Sequence, residues 1–120
     1  MEETYTGGLK MDYLIELVEN VNRLLNQKKA KNKKLDVLTQ EYVHISNNYN
    51  TRKNRAWLQT NFKKLGLTND KQRSAYVEDY CKNLKHNMER KHAEIETIKR
   101  HIFYLDQSIE LQKIVMELRK

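Results

Sequence analysis

The side chains that could act as a nucleophile, a base or a metal ligand are one cysteine and four histidines: Cys81, His44, His86, His92 and His101. A thiol nucleophile needs a base within hydrogen-bonding distance. On one straight helix His86 and His92 lie ~140° and ~20° around the axis from Cys81, at distances along the helix that keep both from the thiol. No two histidines are spaced i, i+4, and no HExxH or paired-cysteine signature occurs. The sequence therefore predicts no enzyme, no metal and no cofactor, with Cys81 as a small buried hydrophobic residue.

Binding chemistry is indicated instead by a cluster of cationic side chains with aromatic residues between them. Lysine and arginine neutralise nucleic-acid phosphates, and an exposed aromatic ring can stack on an unpaired base. Alternatively, the aromatic residues fill core positions and Trp57 packs under a turn. The candidate patch for nucleic acid or a protein partner consists of Arg52, Lys53, Arg55, Lys63, Lys64, Lys71 and Arg73, with Tyr49, Trp57 and Phe62 interleaved.

A second run of cations lies at residues 26–34 and contains Lys28, Lys29, Lys31, Lys33 and Lys34. It is either a phosphate-binding stripe or solvated surface. The whole chain has a formal charge of +7, from 23 lysines and arginines against 16 acidic residues. This excess favours polyanions such as nucleic acid or an acidic protein surface, although a long solvated helix can also be basic for solubility alone.

The composition predicts long helices. Hydrophobic residues make up 38% of the chain, charged residues 32%, and proline is absent, a balance that suits helices with narrow buried stripes. The single cysteine fits a reducing compartment, so we expect the protein in the cytoplasm. The first residues, MEETYTGG, are acidic and polar, and the apolar runs are broken by acidic residues, so we expect neither a signal peptide nor a membrane span.

The elements that must position these residues are indicated by an unbroken seven-residue repeat between Val77 and Met116. A repeat of 3.5 residues keeps one apolar stripe facing a partner helix. Lys91 and Gln112 interrupt the stripe, either to fix the register or because the lysine stem covers apolar surface. The heptad stripe has Cys81, Met88, Ile95, Ile102, Ile109 and Met116 at its a positions and Val77, Leu84, Lys91, Ile98, Leu105 and Gln112 at its d positions.

Residues 65–70, LGLTND, predict the turn of an antiparallel helical hairpin. Gly66 can supply the left-handed residue that closes a helix, and Thr68 or Asn69 can cap the next one. We expect an all-α hairpin or coiled coil, with a disordered tail at 1–8, a first arm at 9–65, a turn at 66–69 and a second arm at 70–119. Apolar residues of the first arm step from Met11 through Leu14, Val18, Val21 and Leu25, then resume at Leu35.

The hairpin register predicts a mismatch along the second arm. With the turn near Leu67, paired residue numbers total about 134, so Ile102 faces Asn32 and Leu105 faces Lys29. Either the first arm breaks at residues 26–34 and repacks, or a second chain covers the exposed apolar side chains. We favour self-association, through Leu84, Met88, Ile95, Ile98, Ile102, Leu105, Ile109 and Met116.

About a third of the chain resembles small uncharacterised helical proteins encoded by phages and prophages. The resemblance lies in RAWLQTNFKKLGLTNDKQRSAYV, residues 55–77, and in IKRHIFYLDQSIELQKIVM, residues 98–116. It implies a virus-encoded accessory protein in the host cytoplasm that acts on nucleic acid or on a host protein. The expected function is thus a non-enzymatic coiled-coil interaction protein that binds a host or viral protein. The alternative is a nucleic-acid-binding accessory protein that uses the basic tip of the hairpin.

Overall fold

A computed structural model of the protein describes the backbone of residues 2–119 and the side chains of residues 11–119. Three α-helices follow one another: α1, Glu2–Gln59; α2, Asp70–Tyr80; and α3, Lys82–Leu118. Within residues 2–119 there is no strand, and none of the helices is long and apolar enough to cross a membrane. The expected all-α class is confirmed: α1 is one arm of an antiparallel helical hairpin, and α2 with α3 is the other.

Helix α1 differs from the expected first arm at both ends. It begins at Glu2 rather than at Leu9, because glycines such as Gly7 and Gly8 weaken a helix by only about 1 kcal/mol each and do not forbid it. Residues 26–34 continue the helix, so the alternative in which the first arm breaks there is wrong. The helix ends at Gln59, before the expected end at Leu65. Disorder of the first eight residues stays a prediction.

The connection between the arms covers residues 60–69 rather than 66–69. Asn61 begins a separate turn, since its side-chain Oδ1 accepts a hydrogen bond from the backbone N–H of Lys64 at 3.1 Å. That turn closes with two bonds, from Leu67 N–H to the carbonyl of Phe62 at 2.9 Å and from Gly66 N–H to that of Lys63 at 3.1 Å. This is a Schellman motif, and Gly66 has the φ of 73° that the motif requires.

The start of the second arm confirms the predicted cap. Asn69 has an extended backbone, and its Oδ1 accepts a hydrogen bond from Gln72 N–H at 2.8 Å. The Gln72 side chain in turn accepts the backbone N–H of Thr68 at 2.9 Å. The Asn69 side chain satisfies a backbone donor of the first helical turn, and the Gln72 side chain satisfies one just before the helix, so the sequence TNDKQ fixes where α2 begins.

Cys81 interrupts the second arm, which we expected to be one helix. The backbone of Cys81 has φ −96° and ψ 5°, whereas ψ in a regular α-helix is about −42°. Hydrogen bonds of the helical pattern nevertheless continue on both sides, from Cys81 N–H to the carbonyl of Val77 and from Lys85 N–H to that of Cys81. The irregularity is therefore confined to one residue.

The chain divides into two compact units, each built from antiparallel helical segments. One unit comprises Asp36–Glu96, where Lys91 pairs with Glu41 at 2.7 Å and the rings of Tyr42 and His92 lie 6.0 Å apart. The other comprises Met1–Leu35 and Thr97–Lys120, where Lys28 pairs with Asp106 at 2.5 Å. The pairs Tyr42 with His92 and Lys28 with Asp106 each match the predicted register.

All twelve positions of the heptad stripe are buried or half-buried. They face a matching stripe on α1, whose middle we did not predict because two of its members there are lysines. Met11, Val18 and Leu25, which we expected on that stripe, are instead 60%, 44% and 44% exposed. The buried or half-buried residues of α1 with this spacing are Leu14, Leu17, Val21, Leu24, Lys28, Lys31, Leu35, Leu38, Tyr42, Ile45 and Tyr49.

The expected mismatch opposite Ile102 and Leu105 is therefore resolved within one chain. Lys28 and Lys31 occupy stripe positions as half-buried residues, and Lys31 lines the same surface groove as Leu105. Long lysine stems can cover apolar side chains while their ammonium groups reach water or a carboxylate. A second chain is no longer required to explain the stripe, and self-association stays a prediction.

Candidate nucleic-acid interface

The aromatic residues of the predicted patch form the core of the hairpin tip. Tyr49, Trp57 and Phe62 pack against a buried cluster of Ala56, Val77 and Cys81. The rings of Trp57 and Phe62 lie 5.5 Å apart in an edge-to-face arrangement that favours packing. The alternative reading, in which Trp57 packs under the turn, is the one the structure bears out.

Two cations of the predicted patch also stabilise the tip. The Arg73 side chain donates a hydrogen bond from Nε to the backbone carbonyl of Leu67 at 3.1 Å, and its guanidinium lies 5.6 Å from the centre of the Phe62 ring. Lys53 places its ammonium 5.8 Å from the centre of the Tyr49 ring. Both cations are half-buried, so they are engaged with the fold more than with solvent.

The other five cations of the patch are exposed. They concentrate positive charge at the tip, because residues 48–75 contain seven lysines and arginines but only one acidic residue, Asp70. Nearly all of the chain's net charge of +7 therefore arises in this segment. The exposed cations are Arg52, Arg55, Lys63, Lys64 and Lys71.

A groove of about 530 Å³ lies between α1 and α2, and two of these cations line it. Arg52 and Arg55 line it from α1, and Tyr76 and Tyr80 line it from α2. The guanidinium carbon of Arg52 lies 5.9 Å from the centre of the Tyr80 ring, within the range of a cation–π contact. The groove therefore combines exposed positive charge with exposed aromatic surface, since Tyr76 is 39% and Tyr80 58% exposed.

Tyr76 and Tyr80 are the residues that sequence reasoning missed. They are spaced i, i+4, so they share one face of α2, and both are adjacent in sequence to a heptad-stripe position, Val77 or Cys81. In an antiparallel pair of helices, a residue next to the buried stripe of one helix lies close to the residues next to the stripe of the other helix. The predicted register places Tyr80 opposite residue 54, between Arg52 and Arg55, and this signal was available in the sequence.

The lysine run is a weaker candidate for phosphate binding. Lys28 is paired with Asp106 and Lys31 is half-buried, so only Lys29, Lys33 and Lys34 are exposed. The five lysines therefore do not present one continuous cationic face.

Lys91, the polar d position, also has a partner. Its ammonium lies 2.7 Å from a carboxylate oxygen of Glu41 and 3.8 Å from one of Glu94. The hydrogen bond to Glu41, together with the negative charges of Glu41 and Glu94, raises the pKa of Lys91 above its ordinary value. Lys91 thus lies on the heptad stripe, and its ammonium is paired with carboxylates. This arrangement fits both interpretations of Lys91: that it fixes the register, and that its stem covers apolar surface.

Cys81 is buried, as expected, with 1% of its surface exposed. Across the part of the chain that the structure describes, no group of three or more His, Cys, Asp and Glu residues is arranged to hold a metal ion. Comparisons of the chain with protein-family models, with curated proteins and with solved structures find no match. Its function is therefore inferred from the charge and geometry of the hairpin tip.

Proposed function

We propose that this protein is a non-enzymatic helical-hairpin binding protein whose basic tip binds nucleic acid. The observation that carries the proposal is the concentration of five exposed cations at the tip of the hairpin, where two of them, Arg52 and Arg55, line a groove. Lysine and arginine side chains grouped on one surface attract the phosphate backbone and release its counterions, which supplies affinity without any sequence preference. The opposite ends of the same helices provide no comparable excess of charge.

The fold supports this use of the tip. The Schellman turn, the Asn69 cap and the packing of Trp57 on Phe62 hold the connection between the arms in a defined shape. The exposed cations are thereby presented from a structured surface, which reduces the conformational entropy lost on binding. The expected protein-binding role of the heptad stripe loses its main support, because that stripe is covered within the chain.

The setting of this activity is part of the proposal. A buried free thiol suits a reducing compartment such as the cytoplasm. The resemblance of residues 55–77 and 98–116 to phage-encoded helical proteins favours a viral accessory protein in the host cytoplasm.

The decisive experiment compares two triple variants with the wild type. The tip variant replaces Arg55, Lys63 and Lys64 with Gln, and the control variant replaces Lys29, Lys33 and Lys34 with Gln. All six side chains are exposed and each variant removes three positive charges, so the two variants lose equal charge from different parts of the chain. Binding to a fluorescently labelled 15-nucleotide single strand is measured by anisotropy at about 50 mM salt.

We expect the tip variant to bind at least about tenfold more weakly than the control variant, because each lost phosphate contact contributes ~0.7 to the dependence of log K on log salt. Equal weakening of both variants would show that binding follows net charge and has no site at the tip. Absence of binding by the wild type at low salt would remove the proposed function altogether.

A second candidate function is self-association through the outer face of α3. Leu111, Ile114 and Leu118 follow a three-and-four spacing and are 62%, 52% and 82% exposed. An apolar stripe on one face can be covered by the same stripe of a second copy in a two-fold arrangement. Light scattering tests this candidate by measuring the mass in solution. The wild type should have the mass of a dimer, and Ile114→Asp should have the mass of one chain.

A further inference from the structure

We infer that the groove between α1 and α2 takes one unstacked base of a single-stranded nucleic acid. This inference rests on the proposed function and adds the class of substrate. It predicts a preference for single strands over duplex, because a base inside a duplex has both faces covered by its neighbours. Affinity for phosphate alone would give no such preference.

The first support is the chemistry of the groove walls. Tyr80 is 58% exposed, and the Arg52 guanidinium lies over its ring. Tyrosine rings and the planar guanidinium of arginine are both surfaces on which unpaired bases stack. A phosphate-binding surface needs no aromatic lining, yet here two exposed tyrosines, Tyr76 and Tyr80, line the same groove as two arginines.

The second support is the position of charge relative to these rings. Arg55 lines the groove and is exposed, so it can contact the phosphate of a nucleotide whose base enters beside Tyr80. Lys63 and Lys64 extend the positive surface into the connection that follows α1. A strand that continues along this surface keeps its phosphates near cations on either side of the inserted base.

The third support is the size and polarity of the groove. Its volume of about 530 Å³ falls within the range of about 300–1,000 Å³ typical of small-ligand sites. Asn48 and Gln59 line it as well, and their amides can both donate and accept hydrogen bonds. The edge of any of the bases can therefore form a hydrogen bond with these amides, so we expect the site to accept different bases.

The test compares four ligands of equal length that differ in their bases, their sugar or their strand number. The full chain is titrated with labelled dT15, with U15, with an abasic 15-mer that keeps the phosphates and sugars, and with a 15-base-pair duplex. We expect dT15 and U15 to bind about tenfold more tightly than the abasic strand, because stacking of one base on an aromatic side chain raises affinity by about five- to 150-fold. The ratio of dT15 to U15 distinguishes DNA from RNA as the source of the base.

A matched pair of variants assigns the effect to the groove. Tyr80→Leu removes the aromatic face from the groove, whereas Tyr104→Leu removes a tyrosine of nearly equal exposure, 59%, from the other compact unit. Tyr80→Leu should abolish the preference for dT15 over the abasic strand and leave abasic binding unchanged. Tyr104→Leu should retain the preference. Circular dichroism of both variants checks that the helices are intact.

The possible results separate this inference from the proposed function. If the wild type binds dT15 and the abasic strand equally, with a steep dependence on salt, the tip binds phosphate and the base site is refuted. Tighter binding of the duplex than of dT15 also refutes the base site. If the wild type binds none of the four ligands at low salt, the proposed function fails and the base site fails with it.

Discussion

Replacing the buried Val77 with Ala should lower the free energy of unfolding more than replacing an exposed valine with Ala. Val77 is 0% exposed and packs in the cluster with Ala56 and Cys81, on which Trp57 and Phe62 rest. Because the cluster is built from α1, the connection and α2, losing contacts there weakens the attachment of the two arms to each other.

The magnitude follows from the two methyl groups removed. At ~0.8 kcal/mol for each buried carbon, the transfer loss is about 1.6 kcal/mol. A void of roughly 50 Å³ that does not collapse adds about 1.2 kcal/mol at ~24 cal/mol per Å³. Alanine regains about 0.5 kcal/mol through its higher helix propensity. The expected decrease in the free energy of unfolding is therefore about 2 kcal/mol.

Urea unfolding measures this decrease, with circular dichroism for the helices and the fluorescence of Trp57, the chain's single tryptophan, for the tip. Val43→Ala is the matched control, because Val43 also lies in the Asp36–Glu96 unit but is 51% exposed. We expect Val43→Ala to change the free energy of unfolding by less than about 0.5 kcal/mol. Equal effects of the two substitutions would refute the packing of the tip described above.

Three further predictions concern single residues. Gly66→Ala should lower the free energy of unfolding by about 1 kcal/mol in urea titrations through strain at φ 73° alone, because an added Cβ meets nothing within 4 Å; an unchanged value would contradict the left-handed turn. The pKa of Lys91 is raised in the folded state, so its contribution to stability is complete below its unfolded pKa of about 10.4 and is lost as the pH rises through the folded value. Glu41→Gln should remove this loss of stability at alkaline pH, measured by melting curves at several pH values. An equal loss in the wild type and in Glu41→Gln would contradict the Lys91–Glu41 pair. Cys81 should react with a thiol reagent slowly in buffer and rapidly in urea, and rapid reaction in buffer would show that it is not buried.

The turn and the register could be predicted from the sequence because each depends on few residues. Glycine at a left-handed position and asparagine before the next helix are local signals, and the register follows from the position of the turn. The middle of the stripe on α1 could not be predicted in the same way. In the sequence, Lys28 and Lys31 interrupt an apolar pattern and indicate a break. In the structure, Lys28 pairs with Asp106 and Lys31 lines a groove with Leu105, so their aliphatic stems can cover apolar surface of α3.

The candidate site could be predicted in part. Its cations were evident from the sequence, and of the two interpretations of its aromatic residues the core one is correct, because Trp57 and Phe62 fill the core under the turn. The exposed rings are those of Tyr76 and Tyr80, which flank buried stripe positions. Which aromatic residues remain exposed depends on how three segments pack together, so it follows from the register between the helices and not from a pattern within one segment.

The location of the binding site is tested most directly by photocrosslinking. A single strand that carries bromodeoxyuridine in place of thymidine is irradiated with the full chain, and the adducts are mapped after digestion with trypsin. Cleavage after Arg73 and Lys82 gives the peptide SAYVEDYCK, residues 74–82, which contains both groove tyrosines, whereas Tyr104 lies in a separate peptide, residues 101–113. We expect the adduct in residues 74–82. An adduct confined to residues 101–113, or to the segment of the lysine run, would contradict the assignment of the tip as the binding site.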